Sequence, residues 1–281
     1  MEQESGYIAA QKAEQEAAAV WLRELNSAAD AVYARSADQL PPLALMNKIG
    51  SFDEEHFKAN SVGFFKEIAS RLRVSRDASV LDLGCGCGRM AIPFVDFLRH
   101  GRFYGCDVWD AGVAWCNENL TSTGNAAFYV QSAENNYYFE QFNSEKKNNF
   151  KLGWLPDGAL DASYAISVFT HLIQEDVESY LNEIARGTKA GGLGYFTFFI
   201  IDKYFWAYRE RTGNHMAVKP SADGRHYAYE GQDFFGGYTM GTLLRIFDAA
   251  GWDVVSFELG SWAEKPGSRN YQDTFILERR G

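Results

Sequence analysis

Hydrophobic positions fall into two regimes along the chain. Over residues 7–37, Trp21, Leu25, Ala28 and Val32 recur at helical spacing in an alanine-rich, proline-free stretch. Pro41-Pro42 ends that helix, since proline lacks the N–H that a continuing helix needs. A second helix is expected over 53–72, with Phe57, Val62, Phe65 and Ile68 inward. From Ser79 onward the pattern becomes strand, loop, helix, and it repeats.

The strands expected are Val80–Leu83, Phe103–Cys106, Ala127–Val130, Ala162–Val168 and Leu193–Ile201. Helices are expected over Arg89–Leu98 and Asp110–Leu120, and through Ile173, Val177, Tyr180, Leu181 and Ile184, where Gly191-Gly192 reads as the terminator. Strands alternating with helices at this spacing imply a parallel sheet covered on both faces. Polar residues 140–153 read as a loop, and residues 202–237 break the rhythm with many aromatic rings. A helix over Tyr238–Ala250, closed by Gly251, and a strand pair, Val254–Leu259 and Thr274–Leu277, complete the series. The division expected is a helical arm or cap, 1–50, and one α/β domain, 51–281, carrying the aromatic insert 202–237.

Composition narrows the partners. A net charge of -10 with no dense Lys/Arg run speaks against nucleic acid and against an anionic membrane surface. No window approaches the roughly 18 apolar residues of a membrane span, and the acidic start, Met1-Glu2-Gln3-Glu4, has no apolar leader. Cys85, Cys87, Cys106 and Cys116 lack the paired spacing of a metal site and read as small core fillers, so no metal is expected. These readings favour a cytoplasmic protein.

The strongest chemical signal is Asp82-Leu83-Gly84-Cys85-Gly86-Cys87-Gly88-Arg89, set between a strand and a helix. Glycines at alternate positions let a backbone turn tightly and approach a ligand closely. Two ligands compete. A dinucleotide fingerprint has the spacing Gly-x-Gly-x-x-Gly and faces a pyrophosphate; this loop is Gly-x-Gly-x-Gly, and the Asp82 carboxylate would repel that anion. It suits a cationic amino group, as on the methionine end of S-adenosylmethionine. Asp107 closes the second strand, where such sheets place the acid that accepts from ribose hydroxyls; the plainer role is a turn or helix cap.

Val80–Arg89 resembles the first motif of class I S-adenosylmethionine-dependent methyltransferases, and Gly105-Cys106-Asp107 the second. Ser132-Ala133-Glu134-Asn135 is similar to the segment lying along the adenine. Residues 155–161, running into Ser167-Val168-Phe169-Thr170-His171-Leu172, resemble the fourth-strand motif, and Lys189-Ala190-Gly191-Gly192 the turn before the fifth strand. The resemblance covers roughly residues 40–281. It implies a Rossmann-like, seven-stranded, mostly parallel sheet whose last strand is antiparallel, with helices on both faces. It also implies S-adenosyl-L-methionine as cofactor, held by Asp82, Gly84, Cys85, Gly86, Asp107, Val108, Trp109, Ser132, Ala133 and Ser167. Ser132 stands where many members carry an acid, and Ala190 where most carry proline.

Methyl transfer to a hydroxyl requires removal of a proton. His171, just past the fourth strand, is the candidate base, because an imidazole titrates near neutrality; its alternative is a structural role at a helix start. His215 and His226 in the insert are rivals. The insert reads either as a cap that dries the site and grips the acceptor or as a satellite core. The expectation is transfer to oxygen of a small molecule or a sugar or glycan, with a homodimer through the N-terminal helix as a further option. The competing functions are an NAD-dependent oxidoreductase and a non-catalytic cofactor-binding interaction protein.

Overall fold

The computed structural model describes residues 2–131, 150–213, 218–221, 226–229, 235–267 and 269–281. Its elements are α1 (Glu2–Ala34), α2 (Leu43–Lys48), α3 (Glu54–Arg71), β1 (Val80–Leu83), α4 (Ala91–Phe97), β2 (Phe103–Asp107), α5 (Asp110–Leu120), β3 (Ala126–Val130) and β4 (Leu160–Ala165). There follow α6 (Gln174–Gly187), β5 (Thr188–Phe198), α7 (Lys203–Thr212), β6 (Lys219–Pro220), β7 (His226–Tyr229), β8 (Phe235–Tyr238), α8 (Met240–Ala249), β9 (Trp252–Glu258) and β10 (Asp273–Arg279).

The main sheet has seven strands in the order β3-β2-β1-β4-β5-β10-β9. β1 to β5 pair in parallel, and β10 runs antiparallel between β5 and β9. This is the sheet that the resemblance implied. Strand order reverses between β1 and β4, and open sheets of this kind bind ligands in the crevice at such a switch point, outside the carboxyl ends of the strands. Alternation along the strands divides the core. One face packs against α1, α3, α4 and α5 around Phe65, Phe94, Phe103 and Tyr164. The other packs against α6 and α8 around Leu181, Phe196, Phe198, Phe247 and Phe275.

In α1 the face predicted from spacing is the one buried, at Leu25, Ala28 and Val32, and the Trp21 indole donates to the Val74 carbonyl at 2.7 Å. Residues 11–20 of the same helix are exposed. Among the described residues no helix is long and apolar enough to cross a membrane.

Several boundaries move from their predicted places, among them two on helices. The helix after β4 ends at Gly187, not at Gly191-Gly192, because the Thr188 hydroxyl bonds back to the Ile184 carbonyl at 2.7 Å and the chain turns straight into β5. Residues 189–192 loop out of the strand, so that Leu160 pairs with Thr188 but Ala162 with Leu193. The predicted helix Arg89–Leu98 begins at Ala91, which places Pro93 in the first turn, where a missing N–H costs nothing.

The insert after β5 is also more regular than its sequence suggested. Asp202 caps α7 by accepting from the Tyr204 and Phe205 amides, and Gly213, at φ 61°, closes it. β6, β7 and β8 then form a separate antiparallel sheet. Phe199, Ile201, Phe205, Val218, Trp262 and Ala263 bury one another as a third, smaller core.

Candidate cofactor and acceptor site

The loop after β1 is shaped by three glycines in left-handed backbone: Gly84 (φ 82°), Gly86 (φ 55°) and Gly88 (φ 83°). Each is also hemmed in. A Cβ on Gly84 would overlap the Val168 Cγ2; one on Gly86 would lie 2.9 Å from the Ile49 Cγ2, and one on Gly88 2.9 Å from the Cys116 Sγ. From α5, a Cβ on Gly112 would meet the Gly86 carbonyl oxygen at 2.6 Å, so a fourth glycine lets that helix press on the loop. The Gly84 and Cys85 amides donate to the Cys106 carbonyl, tying the loop to the end of β2.

Asp107, closing β2, accepts from the Gly86 amide at 2.7 Å through Oδ2 and from the Trp109 amide at 2.9 Å through Oδ1. Burial raises its pKa, and the bonds from the Trp109, Gly86 and Val108 backbone oppose that rise. Val108 and Trp109 follow it, half-buried. Cys85 is buried, so its side chain turns away and only its backbone is left for a ligand. All four cysteines are buried free thiols, and burial pushes the Cys87 thiol up to about 12. Ser132, Ala133 and His215 lie outside the described residues, as does the side chain of His226.

Asp82 is fully buried beneath the loop, and neither carboxyl oxygen has a hydrogen-bond partner among the described residues. Its register partner Tyr164 draws the carboxyl down, though the two do not meet hydrogen-bond geometry. Desolvation dominates and pushes the Asp82 pKa from 3.8 up to about 8. The folded state therefore keeps a proton that the unfolded chain releases above pH 3.8. Without ligand, stability contributed by this group is complete below pH 3.8 and is lost as pH rises towards about 8, by up to about 1.4 kcal/mol per pH unit crossed. Urea unfolding from pH 5 to 9 is expected to show this decline in the wild type and to lose it in Asp82→Asn. Identical profiles for the two proteins would reject it.

Across the switch point, Ser167 follows β4 with φ 61°, a conformation a non-glycine residue adopts only when its surroundings impose it. Here they do: its amide donates to the Thr197 hydroxyl at 2.9 Å, and its own hydroxyl accepts from Gln272 Nε2 at 2.6 Å. The next residue is Val168, the neighbour of Gly84. His171 closes a 3-10 turn from Phe169, half-buried. Tyr238, at the end of β8, donates its hydroxyl to the adjacent Leu172 carbonyl at 2.5 Å, which fixes the small sheet to this edge.

Sequence reasoning missed several residues that shape the site. Ile49 leans on Gly86 while Arg89 donates to the Ile49 carbonyl at 3.1 Å, so the segment before α3 lies over the loop. Gln272 and Lys265 come from the last quarter of the chain. Lys265, fully buried, bonds Asp273 at 3.0 Å and pairs with Asp202 at 3.2 Å. Those two acids thus share one lysine as counter-charge. No local pattern marks any of these residues, because each acts through contacts distant in sequence. Among the described residues no three His, Cys, Asp or Glu side chains gather as a metal-holding group.

Residues 81–196 match the family described as a methyltransferase domain. With the sheet order, the glycine cradle and the acid after β2, that match supports a class I S-adenosylmethionine-dependent methyltransferase with S-adenosylmethionine as cofactor. A sterol 24-C-methyltransferase from Aspergillus fumigatus is 29% identical over 138 residues, 49% of this chain and 32% of that enzyme. The match thus spans about a third of the curated relative's length. Among solved structures, the 1,6-didemethyltoxoflavin-N1-methyltransferase of Burkholderia thailandensis superposes with TM-score 0.51 at 15% identity, covering 79% of each chain. The PH0226 protein of Pyrococcus horikoshii does so with TM-score 0.52 at 16% identity, covering 80% of this chain and 92% of that one. Both share the fold.

Proposed function

We propose that the chain transfers the methyl group of S-adenosylmethionine to an oxygen of a small molecule or of a sugar or glycan, with His171 as general base. The observation that carries the cofactor's placement is the glycine cradle. All three of its glycines hold backbone that side chains avoid, in space that a Cβ would invade, above a buried carboxyl with no partner among the described residues. Such a cradle fits a ligand that approaches the backbone closely and carries positive charge.

In this reading the backbone of Gly84, Cys85 and Gly86 lines the methionine end, whose ammonium draws the Asp82 carboxyl into its charged form across the low-dielectric interior. Asp107 uses its remaining lone pairs for the ribose hydroxyls beside Val108 and Trp109, while Ser132 and Ala133 flank the adenine. Ser167 sits at the reacting end. Bound there, the cofactor supplies a methyl group made electrophilic by its sulfonium. His171 takes the proton from the acceptor hydroxyl as the new bond forms. Residues 1–50 act as an arm and cap over the loop, and the insert 202–237 excludes water from the acceptor side. Acidic net charge and buried free thiols support a cytoplasmic protein without nucleic-acid or membrane partners, and the exposed residues 11–20 of α1 support a homodimer through that helix.

Calorimetry tests the cofactor assignment: S-adenosylhomocysteine is expected to bind and NAD to give no heat. NAD binding instead would restore the oxidoreductase reading. His171→Ala is expected to lower the transfer rate by about 10²–10⁴-fold without weakening S-adenosylhomocysteine binding. A variant that transfers at near wild-type rate removes His171 from the chemistry.

A further inference from the structure

Gln272 stands at the head of β10, and its antiparallel strand brings it to the carboxyl edge of β4 and β5. Its side chain is nine-tenths buried. The amide is spent on one side only: Nε2 donates to Ser167, whereas Oε1 is buried with no hydrogen-bond partner among the described residues. A buried carbonyl oxygen left unmatched costs free energy unless something donates to it.

The surroundings hold this amide in place. Two residues back, Asn270 donates to the Glu67 carboxylate at 2.7 Å and to the Tyr195 hydroxyl at 3.1 Å, which pins the incoming loop to α3. One residue on, Asp273 is locked by Lys265. Ser167, which receives Nε2, is exposed and adjoins Val168, the neighbour of the glycine loop. The cofactor elements, after β1 and β2, occupy one side of the switch point. Gln272 lies on the other, the side left to the methyl acceptor. Tyr271, beside it, is 66% exposed, and its ring meets Phe199 edge-on at 6.2 Å.

Resting on the function proposed above, we infer that Gln272 determines acceptor specificity: its Oε1 accepts a hydrogen bond from an O–H or N–H on a ring-shaped acceptor lying against Tyr271. The acceptor class is therefore a ring bearing a polar hydrogen at or next to the methylated position. Molecules lacking that hydrogen leave the carbonyl unmatched and are turned away. Gln272 is a recognition residue, distinct from the base.

Phenol and anisole differ at the decisive hydrogen and serve as probes, read by saturation-transfer NMR on protein loaded with S-adenosylhomocysteine. Phenol is expected to bind the wild type, anisole about tenfold more weakly. Gln272→Met should bring phenol down to the anisole level. Gln272→Glu, which keeps an acceptor oxygen in the same place, should retain the preference, and it answers the question if the methionine variant does not fold. Equal binding of the two probes, no phenol binding, or an unchanged preference in a folded Gln272→Met protein would overturn the inference. Failure of the wild type to take up S-adenosylhomocysteine, measured first, would sink the proposed function instead.

Discussion

Alanine at position 84 is expected to weaken S-adenosylhomocysteine binding about a hundredfold. Two costs combine. The left-handed backbone of Gly84, at φ 82°, is unfavourable for a residue with a Cβ by about 1–2 kcal/mol. The new methyl also overlaps the Val168 Cγ2, and crowding of a close-packed contact costs about 1–3 kcal/mol. Valine has few rotamers in which to move aside, so either the glycine loop lifts or the turn carrying Ser167 and Val168 shifts. Both surfaces line the proposed site. Calorimetry on protein shown by circular dichroism to be folded checks this, and affinity within a few-fold of wild type would contradict it.

The second large effect concerns stability. Asp273 is fully buried and accepts from the Ile200 amide, the Gly260 amide, the Trp262 indole and Lys265. Lys265 in turn reaches the Ile200 carbonyl and Asp202, the cap of α7. One ion pair thus ties together the end of β5, the start of the insert and the loop that delivers Gln272. Asp273→Ala leaves a buried ammonium without its main counter-charge, and such losses cost about 3–5 kcal/mol. Urea unfolding should show that drop. The double variant Lys265→Met/Asp273→Leu should recover little of it, because the Ile200 and Gly260 amides and the Trp262 indole are then left buried without their acceptor. A single variant as stable as wild type would mean that the pair is not what joins these segments.

What the sequence disclosed was local and periodic. The glycine loop, Asp107 at the end of a strand, the buried face of α1 and the alternation of strands with helices are all written in consecutive residues, and the sheet order follows once the family resemblance is recognised. The helix end at Gly187 was missed because two glycines further on form a more conspicuous stop, while Thr188 ends the helix through its hydroxyl. The insert looked irregular because its two- and four-residue strands are too short to show a period. Ile49, Gly112, Lys265 and Gln272 carry no motif at all. Asp82 was legible as an acid beside the loop, but its complete burial, and hence its raised pKa, is set by contacts distant in sequence.

A crystal structure with S-adenosylhomocysteine bound tests the central claim most directly. The account predicts the amino-acid end of the compound against Gly84–Gly86 with its ribose on the Asp107 carboxylate. Density for the compound at any other place, or a ribose that leaves Asp107 bonded only to its own loop, would contradict it.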